Sequence, residues 1–151
     1  MAINSEFTTG QVLTSAQQNA LPFGIVNIAT LATTFNSTST SRVDITGLST
    51  TFTAVANRRY LVTLNAAGNN NGNNVTQIYL MSGSTDIAEL YFIALTNTVQ
   101  TLTTFAMITP GAGSVTIKTQ IINAAGQGTI YGTSTRASLA SRIAVFDMGN
   151  T

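Results

Sequence analysis

After residue 23 no stretch of the chain keeps a helical period for the length a crossover helix needs, and alternation takes its place. Tyr60, Val62 and Leu64 fall on one side of an extended segment, and Leu61, Thr63 and Asn65 fall on the other. Val99, Thr101, Thr103, Phe105 and Met107 share a side of a second segment, and Val115, Ile117, Thr119 and Ile121 share a side of a third. Ile143, Val145 and Asp147 alternate with Ala144, Phe146 and Met148 near the C-terminus. Thr, Val and Ile dominate these runs, and β-branched side chains suit a pleated, half-buried surface.

Turn chemistry divides the runs. Gly68 to Asn74 (GNNNGNN) is expected to be a loop, because Gly and Asn tolerate positive φ. Pro110-Gly111-Ala112-Gly113 is expected to join two strands as a hairpin, and Ser82-Gly83-Ser84 and Gly126-Gln127-Gly128 add further breaks. Asn36 to Ser41 reads as a loop or a weak edge strand. About eight strands are expected, at 24–32, 42–48, 51–57, 59–67, 75–82, 86–94, 98–109 and 114–123, with shorter ones near 129–134 and 142–148. That density predicts an all-β fold, an antiparallel β-sandwich or jelly roll. Residues 24–151 form the sandwich domain in this reading.

Residues 1–23 form an extended N-terminal arm with one short helix. Thr14 is a candidate N-cap with Gln17 as its capping-box partner, and Pro22 ends the run. Ile3, Phe7, Val12, Leu13, Leu21 and Phe23 are the arm's apolar anchors. The first ten residues lack the basic region and apolar run of a signal peptide. The densest apolar stretch, Ile87 to Leu95, is interrupted by Glu89 and is too short to span a bilayer, so no membrane partner is expected.

Only 7% of the 151 residues are charged, against roughly 25% in an ordinary soluble domain. The net charge is +1 and the six basic residues are scattered, which leaves no field for nucleic acid. Arg58 and Arg59 are adjacent, but neighbouring strand residues face opposite ways. An uncharged surface with a mean hydropathy of +0.26 points to apolar area covered in an oligomer.

The same composition removes most catalysis. With no histidine and no cysteine, the chain has no imidazole or thiolate for a nucleophile pair or a metal site, and no cofactor is expected. Lys118, the single lysine, sits mid-strand and is expected on a solvated face. Asp86 and Glu89 are three apart in a strand, so they are expected to point to opposite faces and not to act as paired acid and base. Asp44 and Asp147 can meet only through tertiary folding. Tyr79, Tyr91, Phe92 and Phe105 are expected in the core or a subunit interface, with Tyr131 more exposed.

The run Glu6 to Gly24 (EFTTGQVLTSAQQNALPFG) resembles a recurring opening of bacteriophage virion proteins. Val43 to Ser49 (VDITGLS) and Phe52 to Tyr60 (FTAVANRRY) are similar to a second phrase of those proteins, and Ile143 to Gly149 (IAVFDMG) to their close. Residues 66–142 match only in style. The resemblance implies a jelly-roll or tumour-necrosis-factor-like sandwich, often trimeric, used as capsid decoration (cement) protein, head fibre or tail-fibre tip. No long repetitive shaft is present, which favours the compact decoration protein. The expected partners are further copies of the chain, as a homotrimer, and the major capsid protein or another virion protein. The expected location is the virion, after synthesis in the bacterial host cytoplasm, and no enzymatic activity is expected. The competing reading is a fibre receptor-binding module touching host glycan through loops, with Asn70, Asn71, Asn73 and Gln127 as candidate exposed contacts.

Overall fold

The computed structural model describes Ser15 and residues 21–72, 74–93 and 98–150. The helix expected after Thr14 falls, Ser15 aside, outside the described residues, as do Ile3, Phe7, Val12 and Leu13. The described chain forms β1 (Gly24–Thr30), β2 (Phe35–Ser37), β3 (Val43–Ala54), β4 (Arg58–Asn70), β5 (Val75–Ser82), β6 (Thr85–Ile93), β7 (Gln100–Ile108), β8 (Gly113–Asn123), β9 (Gly128–Ile130) and β10 (Arg142–Asn150). A four-residue helix α1 (Thr133–Arg136) and a 3-10 turn (Ala137–Leu139) lie between β9 and β10.

Pairing is antiparallel throughout and nested. β5 pairs β6, β4 pairs β7, β3 pairs β8, β2 pairs β9 and β1 pairs β10. The chain is therefore one long two-stranded ribbon folded at Ser82-Gly83-Ser84 and then rolled. Rolling splits the ribbon into two sheets. One has β1-β10-β4-β9-β2 in order with β7 on the other side of β4, and the second has β3-β8-β5-β6. This winding is the jelly roll, and it makes an antiparallel sandwich.

The inward positions supply the core. Tyr60, Val62 and Leu64 on β4 face Ile78 and Leu80 on β5 and Ile117 on β8, all 1% exposed or less. Each such Ile or Leu contributes about 1.5–3 kcal/mol through burial. The Phe52 and Tyr60 rings meet at 4.9 Å, and the Tyr60 hydroxyl accepts a bond from the Val55 amide.

Four expectations are corrected. The strands expected at 42–48 and 51–57 are one strand, β3, with a bulge between Asp44 and Ser49. Gly47 takes φ +89 there, and the extra residue lets Ile45 and Leu48, three apart, both point inward. Gly68 to Asn70 belong to β4, so the Asn-rich loop is shorter than its composition suggested. Pro110 to Gly113 is no hairpin: β7 pairs β4 and β8 pairs β3 and β5, so this link crosses between sheets. Finally, 133–136 is helical where a strand was expected to reach 134.

Candidate functional site

Leu21 to Phe23, the last residues of the expected arm, are held by a buried ion pair. The Arg58 Nε donates to Asp147 Oδ2 at 2.7 Å and its Nη2 to Asp147 Oδ1 at 2.9 Å, with the side chains 3% and 5% exposed. The same Nη2 donates to the Leu21 carbonyl at 2.6 Å, and the guanidinium lies 4.3 Å from the centre of the Phe23 ring. Asp147 Oδ1 also accepts the Gly149 amide. Three of the phrases that carry the resemblance, ending at Phe23-Gly24, Arg58-Tyr60 and Asp147-Gly149, thus converge on one spot. Leu21 and Phe23 themselves remain 36% and 64% exposed. Phe23 and Arg58 line a 440 Å³ hollow with Val55, Ala56, Asn57 and Asn150.

Beside this spot the outer face of the six-stranded sheet carries an apolar patch. Cross-strand register places Ile25, Phe146, Leu61 and Met107 in one row over four strands, and Ile28, Ala144, Thr63 and Phe105 in the next. Phe105 is 71% exposed, Ile25 59%, Met107 52% and Ile28 49%. Neither row contains a charge. On one side the patch is bordered by the row Thr30, Arg142, Asn65 and Thr103. With strands about 4.8 Å apart, the patch covers roughly 300 Å², at the size where an apolar surface usually has a partner. Of the two places expected for Phe105, the core is excluded, because β7 turns its odd-numbered residues outward, and a subunit interface stays open.

The outer face of the four-stranded sheet is the opposite in character. Arg42 binds both oxygens of Asp86 at 2.9 Å while lying 3.3 Å over the Tyr79 ring. Lys118 and Gln120 both donate to Asp44. These bonds, Gln120's foremost and then that of Lys118, hold the Asp44 carboxyl below its ordinary value. Asp44 and Asp147 do not meet: one is on this face and the other inside. Ile87 is a bulge between Leu80 and Met81 of the partner strand, so Asp86 and Glu89 project from the same face, contrary to the sequence expectation. The Glu89 carboxylate accepts from Gln77 Nε2 and from the Tyr91 hydroxyl. Tyr91, expected in the core or a subunit interface, is 49% exposed and so outside the core.

Of the four loop contacts expected from composition, one is internal and one half-buried. Asn70 is fully buried: its Nδ2 donates to Thr76 Oγ1 and the Ala125 carbonyl, and its Oδ1 accepts the Gly72 amide. Thr76 passes the network to Asn123, which donates to the Ser37 carbonyl. Asn71 is exposed, but its Oδ1 accepts the Gln127 amide, and Gln127 is half-buried. Asn73 lies outside the described residues. Among the described residues no group of three or more His, Cys, Asp or Glu is placed to hold a metal, and no helix is long and apolar enough to cross a membrane.

No family model matches the chain, and no curated protein does. Solved structures do match. The infectious bursal disease virus VP2 subviral particle matches with a TM-score of 0.44 and 12% identity, over 85% of this chain and 38% of that one. A family 35 carbohydrate-binding module from an environmental isolate matches at 0.42 and 17%, over 82% and 98%. The carbohydrate-binding module CBM6cm-2 of Cellvibrio mixtus lichenase 5A, in complex with cellotriose, matches at 0.39 and 14%, over 84% and 98%. The chain thus spans well under half the length of the viral chain. The jelly-roll assignment itself rests on the nested strand pairing.

Proposed function

We propose that this protein is a non-enzymatic structural component of a virus particle, a phage capsid decoration (cement) protein. In this reading it self-associates through the outer face of its six-stranded sheet, as the trimer its resemblance implies, and reaches the major capsid protein with its N-terminal arm. The observation that carries the reading is the two-row patch in which Ile25, Ile28, Phe105 and Met107 are exposed around Leu61, Ala144 and Phe146, with no charge in either row.

A further copy of the chain is the occupant that fits. An uncharged patch meets its like without repulsion, and it offers no charge by which an unlike partner would be selected. A stable interface needs about 800 Å² from each partner, an apolar centre and a polar rim. The patch supplies the centre, and Thr30, Asn65 and Thr103 begin the rim. Burying it would also account for a chain that stays positive in hydropathy with so few charges.

In this reading the arm joins the sandwich at Leu21 to Phe23, which Arg58 holds. Ile3, Phe7, Val12 and Leu13 would then dock on the shell or a neighbouring subunit, linking copies through avidity. Contacts of this kind are apolar or neutral, so salt screens them little. The protein would reside in the virion after synthesis in the host cytoplasm, without nucleic-acid, membrane or cofactor partners. The fibre-tip reading through the Asn-rich loop is weakened, because Asn70 is buried and Asn71 ties down the Gln127 amide.

The test is sedimentation velocity together with shell binding. The full chain should sediment at three times its 15.8 kDa mass. Removing residues 2–20 should leave a folded trimer that no longer binds capsid shells. A monomeric full chain, or undiminished shell binding by the truncated one, would contradict the reading.

A further inference from the structure

We propose that the outer face of the four-stranded sheet, at Gln77, Glu89 and Tyr91, binds a neutral saccharide unit. The site is on the sheet opposite the apolar patch, and it does not depend on the assembly reading.

Register builds it. Ile122 on β8, Gln77 on β5 and Tyr91 on β6 form one cross-strand row, and Gln120, Tyr79 and Glu89 form the next. Gln77 Nε2 donates to Glu89 Oε2 at 2.9 Å and to the Tyr91 hydroxyl at 2.8 Å, and that hydroxyl donates to Glu89 Oε1 at 3.2 Å. The three side chains close a ring of bonds, so their rotamers are set before any ligand arrives. That lowers the ordering cost of binding. A cleft of 250 Å³ opens beside Gln77, floored by Val75 and Ile122 and walled by Thr40 and Ala124.

The groups present match the chemistry of a sugar. A pyranose has an apolar C–H face, which stacks on an aromatic ring or an aliphatic floor, and a rim of hydroxyls. Tyr91 and the Val75–Ile122 floor offer the first. The carboxylate of Glu89 and the amide oxygen of Gln77 offer acceptors for the second, with Thr40 at hand as a mixed donor and acceptor. Desolvation, and then the neighbouring Glu89, hold the Tyr91 phenol above its ordinary value, and its proton is given to Glu89 Oε1. A neutral sugar is favoured over an anionic one. Arg42 is engaged by Asp86 and Tyr79, Lys118 is engaged by Asp44, and three carboxylates face two cations across the sheet.

Saturation-transfer difference NMR tests this with cellohexaose, maltohexaose and mannohexaose as neutral probes and oligogalacturonate as the anionic one. At least one neutral probe should show transfer, with a Kd on the order of 1 mM. Tyr91→Ala should weaken it at least about tenfold, which is roughly 1.4 kcal/mol. Tyr91→Phe and Glu89→Gln, which keep shape and fold, should each weaken it several-fold. Absence of transfer from every neutral probe, transfer unchanged in all three variants, or oligogalacturonate bound as tightly would overturn the proposal. The signal comes from the saccharide whatever the oligomeric state, so a negative result leaves the assembly reading standing.

Discussion

Arg58 and Asp147, 89 positions apart in sequence, form a two-bond ion pair in the interior, and that pair also grips the Leu21 carbonyl just before β1. A guanidinium buried to 2% exposure has no water to fall back on. Removing the carboxylate alone strips the buried guanidinium of both its bonds to Asp147, and breaking a buried pair from one side costs about 3–5 kcal/mol. Asp147→Ala should lose that much in urea unfolding. Arg58→Met with Asp147→Leu, which removes both charges and keeps volume, should recover most of it while releasing Leu21. Equal loss in the single and double variants would show that packing, and not the charge pair, holds this corner.

Phe105 gives the assembly reading its sharpest test. With 71% of it exposed, its removal takes little from the fold of a single chain. Phe105→Glu places a charge in the middle of an apolar interface, where every copy would repel its neighbour. The expected outcome is a monomer by sedimentation with a circular dichroism spectrum like the parent's. A trimer that persists would remove this face from the interface.

How far the sequence could be read depended on whether period two survived. It survives along β4, β7, β8 and β10, and there the inward residues Tyr60, Val62, Leu64, Ile117, Ile121, Ile143 and Val145 were legible. It breaks at bulges. Gly47 joined two expected strands into one, and Ile87 brought Asp86 and Glu89 to the same face. Composition misled at Asn70, since an Asn in a polar run looks like loop surface until its Thr76 and Ala125 partners arrive from other elements. The outward turn of Phe105 and Tyr91 was invisible for another reason: alternation tells which residues share a side, and only the sheet packing tells which side is covered. The ion pair of Arg58 with Asp147 needed the pairing of β4 with β10, which no local signal encodes.

The buried network around Asn70 makes a prediction about the loops. Asn70→Ala leaves Thr76 Oγ1, the Ala125 carbonyl and the Gly72 amide each short of a partner. An unsatisfied buried polar group costs about 1–3 kcal/mol, so the variant should lose roughly 2–4 kcal/mol in urea unfolding. Asn71→Ala, at an exposed position, should lose under about 1 kcal/mol. Similar losses in the two would mean the network contributes nothing specific.

Gly128 and Gly111 make a matched pair. A Cβ on Gly128 would collide with Asn123 Oδ1 and stand 2.8 Å from Thr76 Oγ1, inside the same network. One on Gly111 meets nothing within 4 Å, and neither glycine has a positive φ. Gly128→Ala should therefore cost about 1–3 kcal/mol, because the network must open to admit a methyl group. Gly111→Ala should be neutral or gain up to about 1 kcal/mol by stiffening the unfolded chain. Thermal unfolding of the two variants compares them directly, and a tolerated Gly128→Ala would mean that β9 shifts away from Asn123 without loss.

Asp44 sets the acid response of the outer face. Its folded value lies below the usual 3.8, chiefly through the Gln120 hydrogen bond and then through Lys118. A carboxyl depressed in the folded state stabilises it above the unfolded value, and that contribution is lost as pH falls through the folded one. The loss should therefore begin near pH 4 and continue below it, with no dependence from this group at neutral pH. The side chain is 56% exposed, so solvent screening limits the effect to about 0.5 kcal/mol. Asp44→Asn should flatten the stability profile below pH 4 relative to the parent. Because the largest part comes from a neutral amide, added salt should reduce the difference only partly. A difference abolished by salt would assign the effect to Lys118, and a steeper profile in Asp44→Asn would reverse the sign derived from these contacts.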